Sequence, residues 1–172
     1  MTRQKVFLNG IAGTGMSSLA GLFKEAGFDV AGSDNNFYPP IDQVLEKMDV
    51  MLFEGYSEAN LSEDIDFFVI GNIISRGNPE AEAILNHKRS FYSMAEALHR
   101  FFIRKRQSIV AAGTHGKTTI SSFVACLLDR AGMDPGFFIG GKPFDQPANY
   151  RVGKGDYFVS EGDEYETAFF DR

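Results

Sequence analysis

Residues 108–119 read S-I-V-A-A-G-T-H-G-K-T-T, and the fold is decided by this stretch. Residues 108–112 are a short apolar run of strand type, expected to be buried, and from Ile120 onward the spacing is helical. Between them Gly113 and Gly116 release the backbone to curl, so that successive N–H groups can face one anion. Lys117 adds a mobile positive charge, and Thr118 adds a hydroxyl suited to a magnesium ion. Strand, glycine loop, Gly-Lys-Thr and helix in this register make a phosphate-binding loop, which Thr114, His115 and Thr119 complete. The match to G-x-x-x-x-G-K-[ST] is imperfect, because Ala111 stands where the first glycine belongs. A glycine turn with no ligand is the competing reading.

Downstream, D-Y-F-V-S-E at 156–161 reads as a strand that delivers Glu161 at its carboxyl end. An acid so placed after a phosphate loop can hold Mg²⁺ together with Thr118, directly or through water. Asp163 and Glu164 make the local charge denser, and an acidic surface turn is the alternative. Residues 136–141 hold another short apolar strand. Cys126 lies in the apolar run of the helix after the loop and reads as a core residue.

Upstream, Lys5–Asn9 is an apolar run ending at Gly10. Gly10, Gly13 and Gly15 then turn into a helix whose inner face carries Met16, Leu19, Leu22, Phe23 and Ala26, with Gly27 closing it. A second strand at 28–31 leads to G-S-D, with Asp34 at its end. Strand, glycine turn, helix, strand and acid form a βαβ unit of dinucleotide-binding type. The spacing is G-x-x-G-x-G, whereas nicotinamide and flavin enzymes use G-x-G-x-x-G, which counts against an oxidoreductase. A nucleotide diphosphate at the helix N-terminus, held by residues 13–17 (Gly13, Thr14, Gly15, Met16, Ser17), is the expectation. A purely structural glycine turn remains open.

The prolines of N-N-F-Y-P-P precede a helix expected over Ile41–Lys47, and strands are expected at 50–53 and 66–70. The loop I-I-S-R-G-N-P-E leaves the last of these at the edge where open parallel sheets bind ligands. Asn72, Ser75 and Arg76 are therefore candidate ligand contacts, with capping and solvated charge as the alternative. Asn78 can cap the following helix with Pro79 at its first position. Ser93 and Glu96 form a capping box. The basic run 104–107 reads as a solvated linker, dividing the chain into domains 1–104 and 105–172.

A net charge of −6 argues against a general nucleic-acid binder. One cysteine, no apolar leader and no stretch of membrane-spanning length fit a cytoplasmic protein. His87 and His99 lack metal-ligand partners at useful spacing and read as surface or capping residues.

Together G-I-A-G-T-G-M-S, G-S-D, G-T-H-G-K-T-T and E-G-D-E-Y-E resemble, in order, the motifs of the Mur ligase family, which makes peptidoglycan amide bonds with ATP. The resemblance covers essentially the whole chain. It implies an α/β architecture: a Rossmann-like parallel-sheet domain for the UDP-sugar, followed by the start of a P-loop ATPase central domain. It implies ATP and Mg²⁺ as cofactors and UDP-N-acetylmuramate as a substrate. Lys117, Glu161 and His115 would act on the transferring phosphoryl group, with a packing role for His115 equally open. Gly10 and residues 13–17 would hold the diphosphate, and Asp34 the uridine. Y-P-P, I-S-R-G-N-P-E and D-E-Y-E-T-A-F-F-D-R resemble the branch whose amine is the murein tripeptide L-alanyl-γ-D-glutamyl-meso-diaminopimelate. The alternatives are the branch that adds L-alanine and a non-catalytic UDP-sugar-binding module. Gly162 and Glu166 depart from the usual E-A-D-E-Y-D. The resemblance also implies a fragment, inactive alone, with the amine site beyond Arg172; the oligomeric state is left open.

Overall fold

A five-stranded parallel sheet and a four-stranded sheet carry the described residues, 3–143 and 145–162, of this computed structural model. They belong to separate compact units, the first running to Ala97 and the second starting at Leu98. That division precedes the basic run 104–107. Arg106 is not a solvated linker residue: its guanidinium donates to the carbonyls of Val152 and of Gly153 (2.9 Å) and lies 5.9 Å from the Phe158 ring centre. Gln107 already opens a strand of the second unit.

In the first unit the strands are β1 (Lys5–Asn9), β2 (Asp29–Asp34), β3 (Met51–Glu54), β4 (Phe67–Ile70) and β5 (Phe91–Ser93), in the order β3-β2-β1-β4-β5. Every neighbouring pair is parallel. Val6, Phe7 and Leu8 are all buried, as a central strand covered on both faces requires. Helix α1 (Thr14–Glu25) buries Met16, Leu19, Leu22 and Phe23. The expectation for Ala26 was wrong. It is exposed, because the helix has ended and its N–H caps the last turn on the Leu22 carbonyl (2.9 Å), while Gly27 takes φ +89°.

Helix α2 (Ile41–Lys47) falls where the sequence places it. Helix α3 (Pro79–Asn86) is capped by the Asn78 side chain, which accepts from the Glu80 and Ala81 amides at 3.0 Å each. Ala81 and Ile84 of α3 pack with Phe7, Phe68, Ile70 and Ile74 in one apolar cluster. The capping box at the start of α4 (Met94–Leu98) is reciprocal: Ser93 N–H donates to Glu96 Oε2 (2.8 Å), and Glu96 N–H to Ser93 Oγ (3.2 Å).

β2 continues through G-S-D rather than stopping at residue 31, because Gly32, Ser33 and Asp34 keep their pairing with β3. Gly32 is obligatory there. A Cβ would lie 2.6 Å from the Leu8 carbonyl oxygen and 2.7 Å from Ile11 Cδ1.

The second unit carries β6 (Gln107–Ala112), helix α5 (Lys117–Arg130), β7 (Gly136–Phe138), β8 (Tyr150–Arg151) and β9 (Tyr157–Gly162), with sheet order β6-β9-β7-β8. β6 and β7 flank β9 in parallel, and β8 is antiparallel to β7. Contrary to expectation β6 is not buried. Among the described residues it pairs only with β9, and Val110 is 54% exposed while Ile109 packs against the Ala125, Phe137, Ile139 and Val159 cluster. Cys126 is only half-buried, since Ala125 and its neighbours Val124 and Leu128 form the packed face of α5.

Candidate functional site

β1 ends at Asn9, and Gly10 turns the chain with φ +82°, a conformation open to glycine. The Ser33 carbonyl accepts from Gly10 N (2.9 Å) and Ile11 N (3.0 Å), and Asp34 Oδ2 accepts from Ala12 N (2.9 Å). The amides of the turn itself are thus consumed by the end of β2. Gly13, in extended conformation, precedes α1 and supplies no side-chain cap. The first-turn N–H groups of Thr14, Gly15 and Met16 therefore point outward with the positive end of the helix, and that turn carries no acid to neutralise them.

A Cβ on Gly13 would meet only the Gly10 carbonyl, at 3.7 Å, so the approach to the turn is open. Gly15 is small for a different reason: a Cβ there would lie 2.9 Å from Met94 Sδ. Met16 and Ser17 are buried, and Ser17 Oγ donates back to the Thr14 carbonyl at 3.0 Å. The backbone of residues 13–16, rather than these side chains, faces outward.

Asp34 is 8% exposed, and both its oxygens have partners within the chain. Oδ1 accepts from Asn35 N (2.8 Å) and from the Tyr56 hydroxyl (3.2 Å). Burial, and then the Asp34 charge, push the Tyr56 phenol well above its ordinary value. Asn72, Ser75 and Arg76 are exposed. Ser75 and Arg76 line a cavity of about 330 Å³ together with Asn35, Tyr56 and Asn78, whereas Asn72 lies outside that lining.

Sequence reasoning missed Glu80. It is fully buried and receives four hydrogen bonds: Asn9 Nδ2 (2.9 Å) and Ser33 Oγ (2.5 Å) on Oε2, Asn60 Nδ2 (2.7 Å) and Ser57 N (3.2 Å) on Oε1. Burial raises its carboxyl above the usual range, and the bonds from Ser33, Asn60 and Ser57 oppose that rise. Its one sequence signal, an acid in the first turn of a helix, is what any helix N-terminus favours.

In the second unit Gly113 (φ +149°) and Gly116 (φ +77°) bend the loop between β6 and α5, and residues 112–116 are exposed. Gly116 precedes α5 without a side-chain cap, so the helix offers its N-terminus to the loop. The helix begins at Lys117, earlier than the apolar spacing indicates, and so takes Lys117, Thr118 and Thr119 into its first turn. The imidazole of His115 is exposed, with Nδ1 3.2 Å from Thr114 Oγ1.

β9 sets Glu161 opposite Ala111, at the mouth of the loop. Glu161 Oε1 accepts from Gly140 N (3.1 Å) and lies 3.3 Å from the buried Ser121 Oγ, which also reaches the Lys117 (2.9 Å) and Thr118 (3.2 Å) carbonyls. A Cβ on Gly141 would lie 2.9 Å from Thr118 Cγ2, and one on Gly140 3.1 Å from Glu161 Oε2. The Gly140-Gly141 turn therefore sits against both Thr118 and Glu161.

A hydroxyl and a carboxylate are the hard oxygen donors that Mg²⁺ prefers. Among the described residues no group of three His, Cys, Asp or Glu side chains could hold a metal. Thr118 and Glu161, both set against the Gly140-Gly141 turn, are oxygen donors of the kind Mg²⁺ takes alongside phosphate and water. Asp163, Glu164, Glu166 and the rest of residues 163–172 lie outside the described residues. No described helix is long and apolar enough to cross a membrane.

Two sheets, each opening through a glycine turn into an uncapped helix N-terminus, and each bringing an acid at the end of a strand to that turn, define an α/β protein with parallel strands at the centre of both units. A family model described as "Mur ligase family, catalytic domain" matches residues 7–106, and the chain belongs to that family. It is 42% identical, over 98% of its length, to the UDP-N-acetylmuramate–L-alanyl-gamma-D-glutamyl-meso-2,6-diaminoheptandioate ligase of Escherichia coli. It spans 37% of that relative's length. The crystal structure of the ligase of that type from Neisseria meningitides superposes with a TM-score of 0.92 at 39% identity, covering 99% of this chain and 56% of the other. The UDP-N-acetylmuramate–alanine ligase of Thermotoga maritima is more distant, with a TM-score of 0.80 at 26% identity over 92% of this chain and 37% of the other.

Proposed function

We propose that this chain is the sugar-nucleotide and phosphate-loop portion of an ATP-dependent ligase. The ligase joins UDP-N-acetylmuramate to L-alanyl-γ-D-glutamyl-meso-diaminopimelate in peptidoglycan recycling. The reading rests on the pairing of two built helix N-termini with 42% identity to a ligase of that name. The first unit, running to Ala97, holds the sugar nucleotide, and the second, from Leu98, the ATP phosphates.

The diphosphate lies on the Thr14, Gly15 and Met16 amides, where the α1 dipole favours an anion and Gly13 leaves room. The nucleoside extends toward the cavity of Ser75, Arg76, Asn35 and Tyr56. Asp34 acts on the uridine side by fixing Tyr56 and the turn.

A carboxylate is a poor acylating agent, because its oxygen is a bad leaving group. Phosphoryl transfer from ATP converts it to an acyl phosphate that an amine can attack. Donor and acceptor are both anionic, so the chain's task is charge neutralisation and positioning. Lys117 and the loop amides do this at the transferred phosphoryl group, and His115 stands at the same loop. Thr118 and Glu161 would hold Mg²⁺, which when bound neutralises phosphate oxygens. Ser121 and Gly140 keep the Glu161 carboxylate aimed at that position.

A second reading has L-alanine as the amine, since an L-alanine ligase from Jannaschia is 40% identical over 93% of this chain. Titration calorimetry of this chain with UDP-N-acetylmuramate tests the shared part of both, and absence of binding overturns it. Competing the tripeptide against L-alanine in the full-length enzyme, with products read by mass spectrometry, decides the amine.

A further inference from the structure

Glu80 is joined to three segments that meet at the carboxyl edge of the first sheet. Its Oε2 binds the last residue of β1, Asn9, and the penultimate residue of β2, Ser33. Its Oε1 binds the connection after β3 at Ser57 and Asn60. Three of these partners connect to the open turn. Asn9 precedes Gly10; the Ser33 carbonyl holds the Gly10 and Ile11 amides; Ser57 follows Tyr56, whose hydroxyl meets Asp34.

We propose that Glu80 is a positioning residue for a nucleoside diphosphate, fixing the turn and the Tyr56 segment without touching the ligand. The inference rests on the sugar-nucleotide reading above.

The physical argument is one of acceptor count. Four hydrogen-bonding groups converge on two carboxylate oxygens, and three of them, the Asn9 and Asn60 amides and the Ser57 N–H, can only donate. A buried apolar side chain would fill the same space but take the acceptor from the Ser57 N–H and one of two acceptors from each of the Asn9 and Asn60 amides, and the three segments would lose their common tie. Glu80 bonds residues that are 20 to 71 positions away in the chain, so it ties separate segments together at the edge where the turn opens.

Glu80→Gln keeps the shape and removes one acceptor oxygen. With the new NH₂ at the Oε2 position the Ser33 hydroxyl can turn to accept from it, and Asn9 Nδ2 loses this acceptor but keeps Asn78 Oδ1 (3.2 Å), so the variant is expected to fold. The experiment compares the 172-residue chain and this variant by calorimetric titration with UDP-N-acetylmuramate, and by amide hydrogen exchange. The expected result is at least tenfold weaker binding in Glu80→Gln. Faster exchange should be confined to Gly10, Ile11, Ala12 and Ser57, while the Phe68 and Val69 amides of β4 are unchanged. Glu80→Asp, which retains the charge but shortens the arm, should fall between the two proteins. Equal affinity of Glu80→Gln and the parent overturns the inference while sparing the sugar-nucleotide reading. So does exchange accelerated uniformly through the sheet, which marks a merely structural residue. Failure of the parent chain to bind overturns both.

Discussion

Asp34 and Ala12 are joined by a 2.9 Å hydrogen bond, from the backbone N–H of Ala12 to the carboxylate Oδ2 of Asp34. The acid that ends β2 therefore closes the turn that follows β1. Its other oxygen serves Asn35 and Tyr56, so an amide at this position cannot satisfy both sides. In Asp34→Asn either the Ala12 N–H or the Asn35–Tyr56 pair faces an NH₂ group. Leaving such a group unpaired costs about 1–3 kcal/mol. Urea unfolding should show a loss of about that size in the first unit, and sugar-nucleotide affinity should fall with it. Unchanged stability would mean that the Ser33 carbonyl alone holds the turn.

Gly13 behaves differently. A Cβ there meets only the Gly10 carbonyl, at 3.7 Å, and φ is −64°. Gly13→Val should fold with nearly unchanged stability. Its side chain would stand in front of the α1 N-terminus, where the diphosphate is proposed to lie, so binding of UDP-N-acetylmuramate should be lost. Calorimetry with retained affinity would place the sugar nucleotide elsewhere.

The contrast between these residues shows what was legible in the sequence. β1 and α2 were readable to the residue, as were the Asn78 cap and the Ser93–Glu96 box, because local spacing and nearest-neighbour bonds determine them. The turn, the loop and Glu161 were readable as motifs for the same reason. Glu80 was not. Its bonds to Asn9 and Ser33 cross much of the first unit, and no period or cap in the sequence encodes them. Arg106 failed likewise: a basic run looks solvated until its guanidinium finds carbonyls more than forty residues on. The exposure of β6 was hidden too, because an apolar run does not say whether a strand has one neighbour or two.

Acid should loosen the second unit through Asp129. The Arg151 guanidinium, 2.7 Å from its Oδ1, holds the Asp129 carboxyl below its usual value against a smaller opposing effect of burial. A carboxylate whose pKa is lower folded than unfolded contributes stability that is complete above the unfolded value, about 3.9. That contribution is lost as pH falls through the folded value. Arg151→Met removes the cause, together with the 3.1 Å pair to Asp134. The variant should be less stable than the parent at about pH 6, and the difference should shrink toward about pH 2. Parallel stability curves across that range would refute the assignment.

The last prediction concerns the phosphate loop, and it requires the full-length enzyme. Lys117 and Glu161 are proposed to act on charge that develops during phosphoryl transfer, whereas the sugar nucleotide is proposed to bind in the first unit. Removing a group that acts mainly in the transition state lowers turnover without weakening ground-state binding elsewhere. Lys117→Ala and Glu161→Ala should each reduce kcat by orders of magnitude, on the scale of about 10²–10³ for a lost electrostatic contact. The affinity for UDP-N-acetylmuramate should stay within about twofold of the parent, since the mutated groups are not proposed to touch it. Gly140→Ala supplies an intermediate case. Its Cβ, 3.1 Å from Glu161 Oε2, would displace the carboxylate without removing it. That variant should therefore need more Mg²⁺ for half-maximal rate and recover as the ion is raised, whereas Glu161→Ala should not. Steady-state rates against magnesium concentration for the three variants check this. Near-normal turnover of Glu161→Ala at ordinary magnesium would show that the ion is held without it, and the strand-end acid would then be structural.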